Sequence, residues 1–171
     1  KKDNLLTIPE TIDNFKPWLK LYYKNMDKYA LGFQLEVLLS HMKLKNLINS
    51  KSINVLERSP LSCLYIFGKY LLDKGILSDI EHDLCVRINN EYGWIPSNII
   101  YLQTSPEIAH QRILKRDRDG ENNISKDYLK NLNKYYNKLY EKSIEYNVYK
   151  VDANRDIDIV YKKIKKIILN M

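Results

Sequence analysis

Four short runs of apolar, β-branched and aromatic residues set the frame of this chain: Leu5-Leu6-Thr7-Ile8, Ile53-Asn54-Val55-Leu56, Ile99-Ile100-Tyr101-Leu102 and Val148-Tyr149-Lys150-Val151. Each has strand length and ends at a polar residue. Helical periodicity fills the intervals. In residues 29–47, Leu31, Leu35, Leu38, Leu39 and Met42 recur at three and four residues; Leu61, Leu64, Tyr65, Leu71 and Leu72 do the same in residues 61–72. Ser78-Asp79-Ile80-Glu81 has the form of a capping box and predicts a helix to about Tyr92. Thr104-Ser105-Pro106-Glu107 sets a cap before a first-turn proline and predicts a helix toward Arg118. Ser125 opens a helix to about Tyr146, and an amphipathic helix from Asp156 closes the chain, its Lys162, Lys163, Lys165 and Lys166 facing solvent. Strands alternating with helices predict an α/β fold built on a parallel sheet.

At 171 residues one domain is expected. The two cysteines, Cys63 and Cys85, lie in no Cys-x-x-Cys, which excludes a disulfide framework or structural zinc site as the organising principle. No apolar run approaches the roughly 20 residues of a membrane span, and the first residues lack the apolar stretch of a secretory signal. A reduced intracellular compartment is the expectation. The net charge of +7 raises the question of nucleic acid. Abundant Lys, Asn, Ile and Tyr, however, are what AT-rich coding produces, and Tyr128, Tyr135, Tyr136 and Tyr140 fall at helical spacing rather than as a stacking platform. No nucleic-acid partner is expected; a polyanionic small molecule such as a nucleotide suits the charge.

In parallel α/β sheets ligands bind off the carboxyl ends of the strands. The residues at those ends are Pro9-Glu10, Glu57-Arg58-Ser59, Thr104-Ser105 and Asp152-Ala153-Asn154. Charge collects at two of them. Downstream, Arg112 and Arg116 share one helix face, with Arg118 in the loop that follows. Glu57-Arg58-Ser59, the turn Tyr101-Leu102-Gln103-Thr104-Ser105-Pro106-Glu107 and the arginine cluster occur in this order. Together they resemble the deoxyribonucleoside kinases, the family of mitochondrial thymidine kinase and deoxycytidine kinase, over essentially the whole chain.

The resemblance implies a P-loop kinase-like three-layer α/β/α fold with an arginine lid at about 112–121. It also implies transfer of the ATP γ-phosphate to a deoxynucleoside 5′-hydroxyl. Glu10 takes the place of the catalytic base, with Asp13 as the alternative, and Phe15, five residues on, that of an aromatic against the base. Tyr23, or Tyr22 one residue earlier, falls at a sugar 3′-hydroxyl contact. Phe33-Gln34 matches the pair whose glutamine binds the pyrimidine edge. Arg58 matches the arginine near the 5′-hydroxyl, Phe67 a stacking aromatic, and Glu121 a carboxylate for the 3′-hydroxyl. Glu57 is implied for Mg²⁺, Arg112, Arg116 and Arg118 for the donor phosphates, and Asp152, Ala153 and Asn154 for an adenine loop. Val37 and Cys63 occupy the two positions that separate purine from pyrimidine use; both are small and uncharged, which implies thymidine and deoxycytidine. His41, a turn beyond Val37, narrows that pocket or adds a hydrogen bond. Pairing as a homodimer is implied through residues 60–74 and 79–92. A thymidylate-type monophosphate kinase and a non-catalytic nucleotide-binding paralogue are the competing readings.

One departure stands out. None of the five glycines, Gly32, Gly68, Gly75, Gly93 and Gly120, belongs to a Gly-x-x-x-x-Gly-Lys-Ser/Thr. The expectation is an N-terminally incomplete kinase domain over residues 1–171, lacking its first strand and phosphate loop. That strand is implied to lie between those of residues 53–56 and 99–102. Such a chain is expected to bind ATP poorly. With the N-terminus incomplete, a mitochondrial location stays open beside the cytoplasm.

Overall fold

A computed structural model describes residues 5–10, 12–118, 121, 124–141 and 146–171, without the side chain of residue 14. The order is β1 (Leu5–Ile8), α1 (Ile12–Lys24), α2 (Met26–Lys45), β2 (Ile53–Leu56), α3 (Pro60–Ser62), a π-turn (Cys63–Gly68), α4 (Lys69–Asp73) and α5 (Asp79–Tyr92). Then follow β3 (Asn98–Gln103), α6 (Pro106–Arg116), α7 (Lys126–Glu141), β4 (Asn147–Asp152) and α8 (Ile157–Leu169). The fold is α/β, and all pairing among the described residues is parallel. The strands form two pairs: β1 on β2, with Leu5 opposite Ile53 and Ile8 opposite Leu56, and β3 on β4, with Asn98 opposite Asn147 and Gln103 opposite Asp152. No described strand joins β2 to β3, the place where the resemblance implies the missing strand. The chain divides into two compact units, Lys1–Ile95 and Pro96–Met171. No helix among the described residues is long and apolar enough to cross a membrane.

In the first unit α1 packs on α2, and α2 packs on α5 and the π-turn. Tyr22, Leu38, Leu64, Ile66, Leu71 and Leu77 fill the interior. Gly32 permits the α1–α2 approach, because a Cβ there would lie 2.4 Å from the Trp18 ring. α1 runs through Pro17 and buries Phe15, Leu19 and Tyr22, which recur at four and three residues on one face. Its successor α2 begins where Asn25 Oδ1 accepts from Lys28 N at 3.1 Å. The capping box of α5 is formed in both directions. Glu81 Oε2 accepts from Ser78 N at 2.8 Å, and Ser78 Oγ accepts from Glu81 N at 3.4 Å.

The second unit closes on Val151, Ala153 and Val160, with Ile100, Ile164 and Ile167 packed around them. α6 starts as the sequence predicts, with Ser105 Oγ accepting from Ile108 N and Pro106 in the first turn. It ends at Arg116, two residues short of expectation, because Asp117 turns into the left-handed region at φ 47°. The helix opened by Ser125 is described to Glu141; its expected continuation through residues 142–145 lies outside the described residues.

Candidate active site

The exits of β1 and β2 place their charged groups together. Glu10 follows β1, and its carboxylate is 3% exposed, with Oε1 3.5 Å from Arg58 Nη1. Glu57 and Arg58 follow β2. Glu57 is 61% exposed, and its Oε1 lies 4.0 Å from Arg58 Nη2. Arg58 stands in the left-handed region at φ 63°. A side chain costs roughly 1–2 kcal/mol there, and such strain collects at functional sites. The guanidinium also lies over the Phe67 ring, 5.8 Å from its centre. One arginine thus touches a buried carboxylate, an exposed carboxylate and an aromatic face.

α2 supplies the neighbouring wall. Gln34, Val37 and His41 are all buried, and their spacing of three and four places them on one face. The residues before π-turn Cys63 bring its thiol to Gln34, where Sγ donates to the side-chain Oε1 at 3.1 Å. Burial pushes the Cys63 thiol up, so it remains a protonated donor. The protein itself thus supplies the Gln34 amide with one partner. Oε1 has a second lone pair and the amide two N–H groups, so the group keeps the donor–acceptor pairing a pyrimidine edge requires.

His41 is 2% exposed, and among the described residues no hydrogen-bond partner meets its Nδ1. Desolvation, then the charge of Arg58, lower its pKa from 6.5 to about 4, so the imidazole is neutral near pH 7. Its backbone carbonyl accepts from Trp94 Nε1 at 2.9 Å, which fixes this end of α2.

The aromatic assignments divide. Phe67 lies beneath the Arg58 guanidinium. Phe15 and Phe33 are buried edge to face with centroids 6.1 Å apart, and Phe33 stacks on Tyr22 at 4.7 Å. Those three rings build the interior. Tyr22 is 1% exposed, while Tyr23 is half-buried; of the two, Tyr23 is the one a ligand can reach.

In the second unit the arginines separate into two groups. Arg116 Nη2 and Arg118 Nη1 both donate to the Glu121 carboxylate, the latter at 3.1 Å, and that carboxylate is 7% exposed. The left-handed turn at Asp117 lets arginines two residues apart reach the same group. Arg112 instead donates to the Arg155 carbonyl oxygen at 3.4 Å. It therefore sits beside the β4 exit and not with the other two. At that exit Asp152 Oδ1 accepts from Asn154 N at 3.0 Å, and Asn154 Oδ1 accepts from Ser105 N at 2.8 Å. The hydrogen bond from Asn154, assisted by Arg155, lowers the Asp152 pKa. Ala153 is buried and donates to the Gln103 carbonyl at 2.9 Å.

Magnesium binds through one or two carboxylates together with substrate phosphates and water. Glu57 is the carboxylate whose exposure fits that use. No group of three His, Cys, Asp or Glu side chains able to hold a metal occurs among the described residues.

The deoxynucleoside kinase family matches residues 1–171, and the chain belongs to that family, with its P-loop kinase fold. A protein of Invertebrate iridescent virus 3 that carries a kinase designation is 38% identical over 83% of this chain and 73% of its own length. A fowlpox virus protein designated a deoxycytidine kinase is 33% identical over 81% of the chain and 62% of its own length. The deoxyadenosine kinase of Dictyostelium discoideum is 29% identical over 87% of the chain and 62% of its own length.

Proposed function

We propose that the chain supplies the acceptor pocket and the arginine lid of a kinase that transfers the γ-phosphoryl group of ATP to the 5′-hydroxyl of a deoxynucleoside, thymidine and deoxycytidine above purines. The observation that carries the reading is the contact of Arg58 with buried Glu10 and Phe67 at the exit of β2. Burial alone would disfavour the Glu10 carboxylate, and the guanidinium offsets that cost. A carboxylate so held accepts the proton of the 5′-hydroxyl as the oxygen bonds to phosphorus and the bond to the β-phosphate oxygen breaks, releasing ADP. Phosphoryl transfer asks for positioning and charge neutralisation more than covalent work. Arg58 orients the hydroxyl. Arg116 and Arg118 take the charge of the transferring group, with Arg112 as a further donor-side cation. Glu57 is the carboxylate for Mg²⁺, which would neutralise phosphate charge.

Glu121 fits as the group the donor phosphates displace from Arg116 and Arg118, after which it is free to accept from the sugar 3′-hydroxyl. Tyr23 is assigned to the same hydroxyl, Gln34 to the base edge, and Phe15 and Phe33 to the support of that wall. Asp152, Ala153 and Asn154 are assigned to the adenine. Uncharged Val37, Cys63 and neutral His41 give the pocket no charged pair to favour a purine.

We also propose pairing of two copies through residues 60–74 and 79–92, where Tyr65, Ile80 and Tyr92 are exposed. The free, buried thiols of Cys63 and Cys85 suit a reducing compartment, the cytoplasm first. The deciding experiment is kcat/KM of the full-length gene product, with ATP, for thymidine, deoxycytidine, deoxyadenosine and deoxyguanosine, with thymidine monophosphate alongside. A purine as best substrate overturns the pocket assignment, and the monophosphate as best substrate overturns the nucleoside reading.

A further inference from the structure

The wall that carries Cys63 and Phe67 is not an α-helix. From Cys63 to Gly68 the chain makes a π-turn between α3 and α4. Turns of this width are rare and occur mostly as single insertions within helices, frequently at functional sites. This one has an outside support. Half-buried His82, near the start of α5, places Nε2 3.3 Å from the Leu64 carbonyl oxygen. A carbonyl only accepts, so Nε2 carries the proton in this contact. Gly68 leaves room for the ring. A Cβ at that position would lie 3.3 Å from His82 Cδ2 and 3.0 Å from the Cys63 carbonyl oxygen.

We propose that His82 is a positioning residue for deoxynucleoside recognition: by holding the Leu64 carbonyl it keeps the π-turn that sets Cys63 against Gln34 and Phe67 beneath Arg58. The proposal rests on reading that wall as the base pocket. Both contacts that shape the wall start inside the turn, from Cys63 Sγ to Gln34 Oε1 at 3.1 Å and from the Phe67 ring to Arg58 at 5.8 Å. Relaxation to α-helical bonding tightens the turn by one residue and re-aims Phe67 relative to Cys63. The imidazole therefore acts on the base at one remove, through the backbone.

The test compares wild type, His82→Ala and His82→Gln in the full-length gene product, using thymidine as the probe. Calorimetry gives Kd, and steady-state assay separates KM from kcat. The glutamine amide can donate to the same carbonyl. His82→Ala is expected to raise thymidine Kd and KM about tenfold, the worth of one hydrogen bond to a shaped wall, with kcat nearly unchanged. His82→Gln should restore most of the loss. Amide hydrogen exchange over residues 64–69 should quicken in His82→Ala and recover in His82→Gln. Unchanged Kd and exchange in His82→Ala overturn the proposal. So does an equal loss of thermal stability in both variants without any KM-against-kcat split. Wild type that binds neither thymidine nor deoxycytidine removes the pocket reading itself. That result is distinguishable, because it appears before any substitution is made.

Discussion

The Cys63 thiol donates to the Gln34 side-chain carbonyl across 3.1 Å, and both residues are buried. This contact sets which end of the amide faces which way. Thymine offers the base edge as acceptor then donor, and cytosine offers the reverse, so a glutamine must turn over to serve both. Cys63→Ala frees the amide to turn. The ratio of kcat/KM for thymidine to that for deoxycytidine is then expected to move toward one, by roughly three- to tenfold, the worth of one net hydrogen bond. Cys63→Ser, which keeps a donor, should hold the wild-type ratio. An unchanged ratio in Cys63→Ala means the thiol does not select.

Glu10→Gln removes the proposed proton acceptor while keeping its shape. Turnover is expected to fall by about 10²–10⁴-fold, the usual worth of a general base, with thymidine Kd little changed. Turnover within threefold of wild type moves the role to Asp13 on the exposed first turn of α1.

Arg116 and Arg118, proposed for the donor phosphates, both donate to the Glu121 carboxylate. Arg116→Ala and Arg118→Ala are each expected to reduce kcat more than they weaken thymidine affinity, because the charge they meet develops on the transferring group. Glu121→Gln removes the internal competitor and should tighten inorganic pyrophosphate binding severalfold, as one charge-assisted contact no longer has to be displaced. Steady-state turnover beside thymidine titration checks the first statement and pyrophosphate titration the second; wild-type values throughout leave this segment a solvated basic turn.

Stability should depend on His41 in a defined window. Its folded pKa is about 4 and its ordinary value 6.5. Between those values the unfolded chain binds the proton and the folded chain does not, so stability falls as pH falls from 6.5 toward 4. The full difference is on the order of 3 kcal/mol. Urea unfolding at pH 7 and pH 4 should show that loss in wild type and not in His41→Gln, after the shared carboxylate contribution is subtracted. Parallel losses in the two proteins contradict the assignment.

The sequence foretold those elements whose cause is local. The four strands are read from β-branched runs, and the starts of α5 and α6 from Ser78 and Ser105, because a cap is written within four residues. Pro17 reads as a break inside α1, although Phe15, Leu19 and Tyr22 keep helical spacing there; the family resemblance puts Tyr23 on a helix. The π-turn is hidden, because Leu61, Leu64 and Tyr65 keep the spacing an α-helix also uses. At the site, the residue types at the strand exits were legible, as was the place of His41 one turn beyond Val37. Their tertiary partners were not. The thiol on Gln34, the His82 contact with Leu64 and the convergence of Arg116 and Arg118 on Glu121 depend on how distant or irregular segments meet. The early end of α6 escaped for a related reason. Asp117 takes a conformation that glycine usually signals.

The left-handed backbone at Arg58 also bears on how this gene can change. Glycine adopts that conformation at less steric cost, so Arg58→Gly relieves strain in the same step that removes the guanidinium. A library screened for heat resistance alone is rewarded for discarding this side chain, whereas selection for the proposed phosphoryl transfer retains it. The same codon is thus drawn in opposite directions by the two pressures.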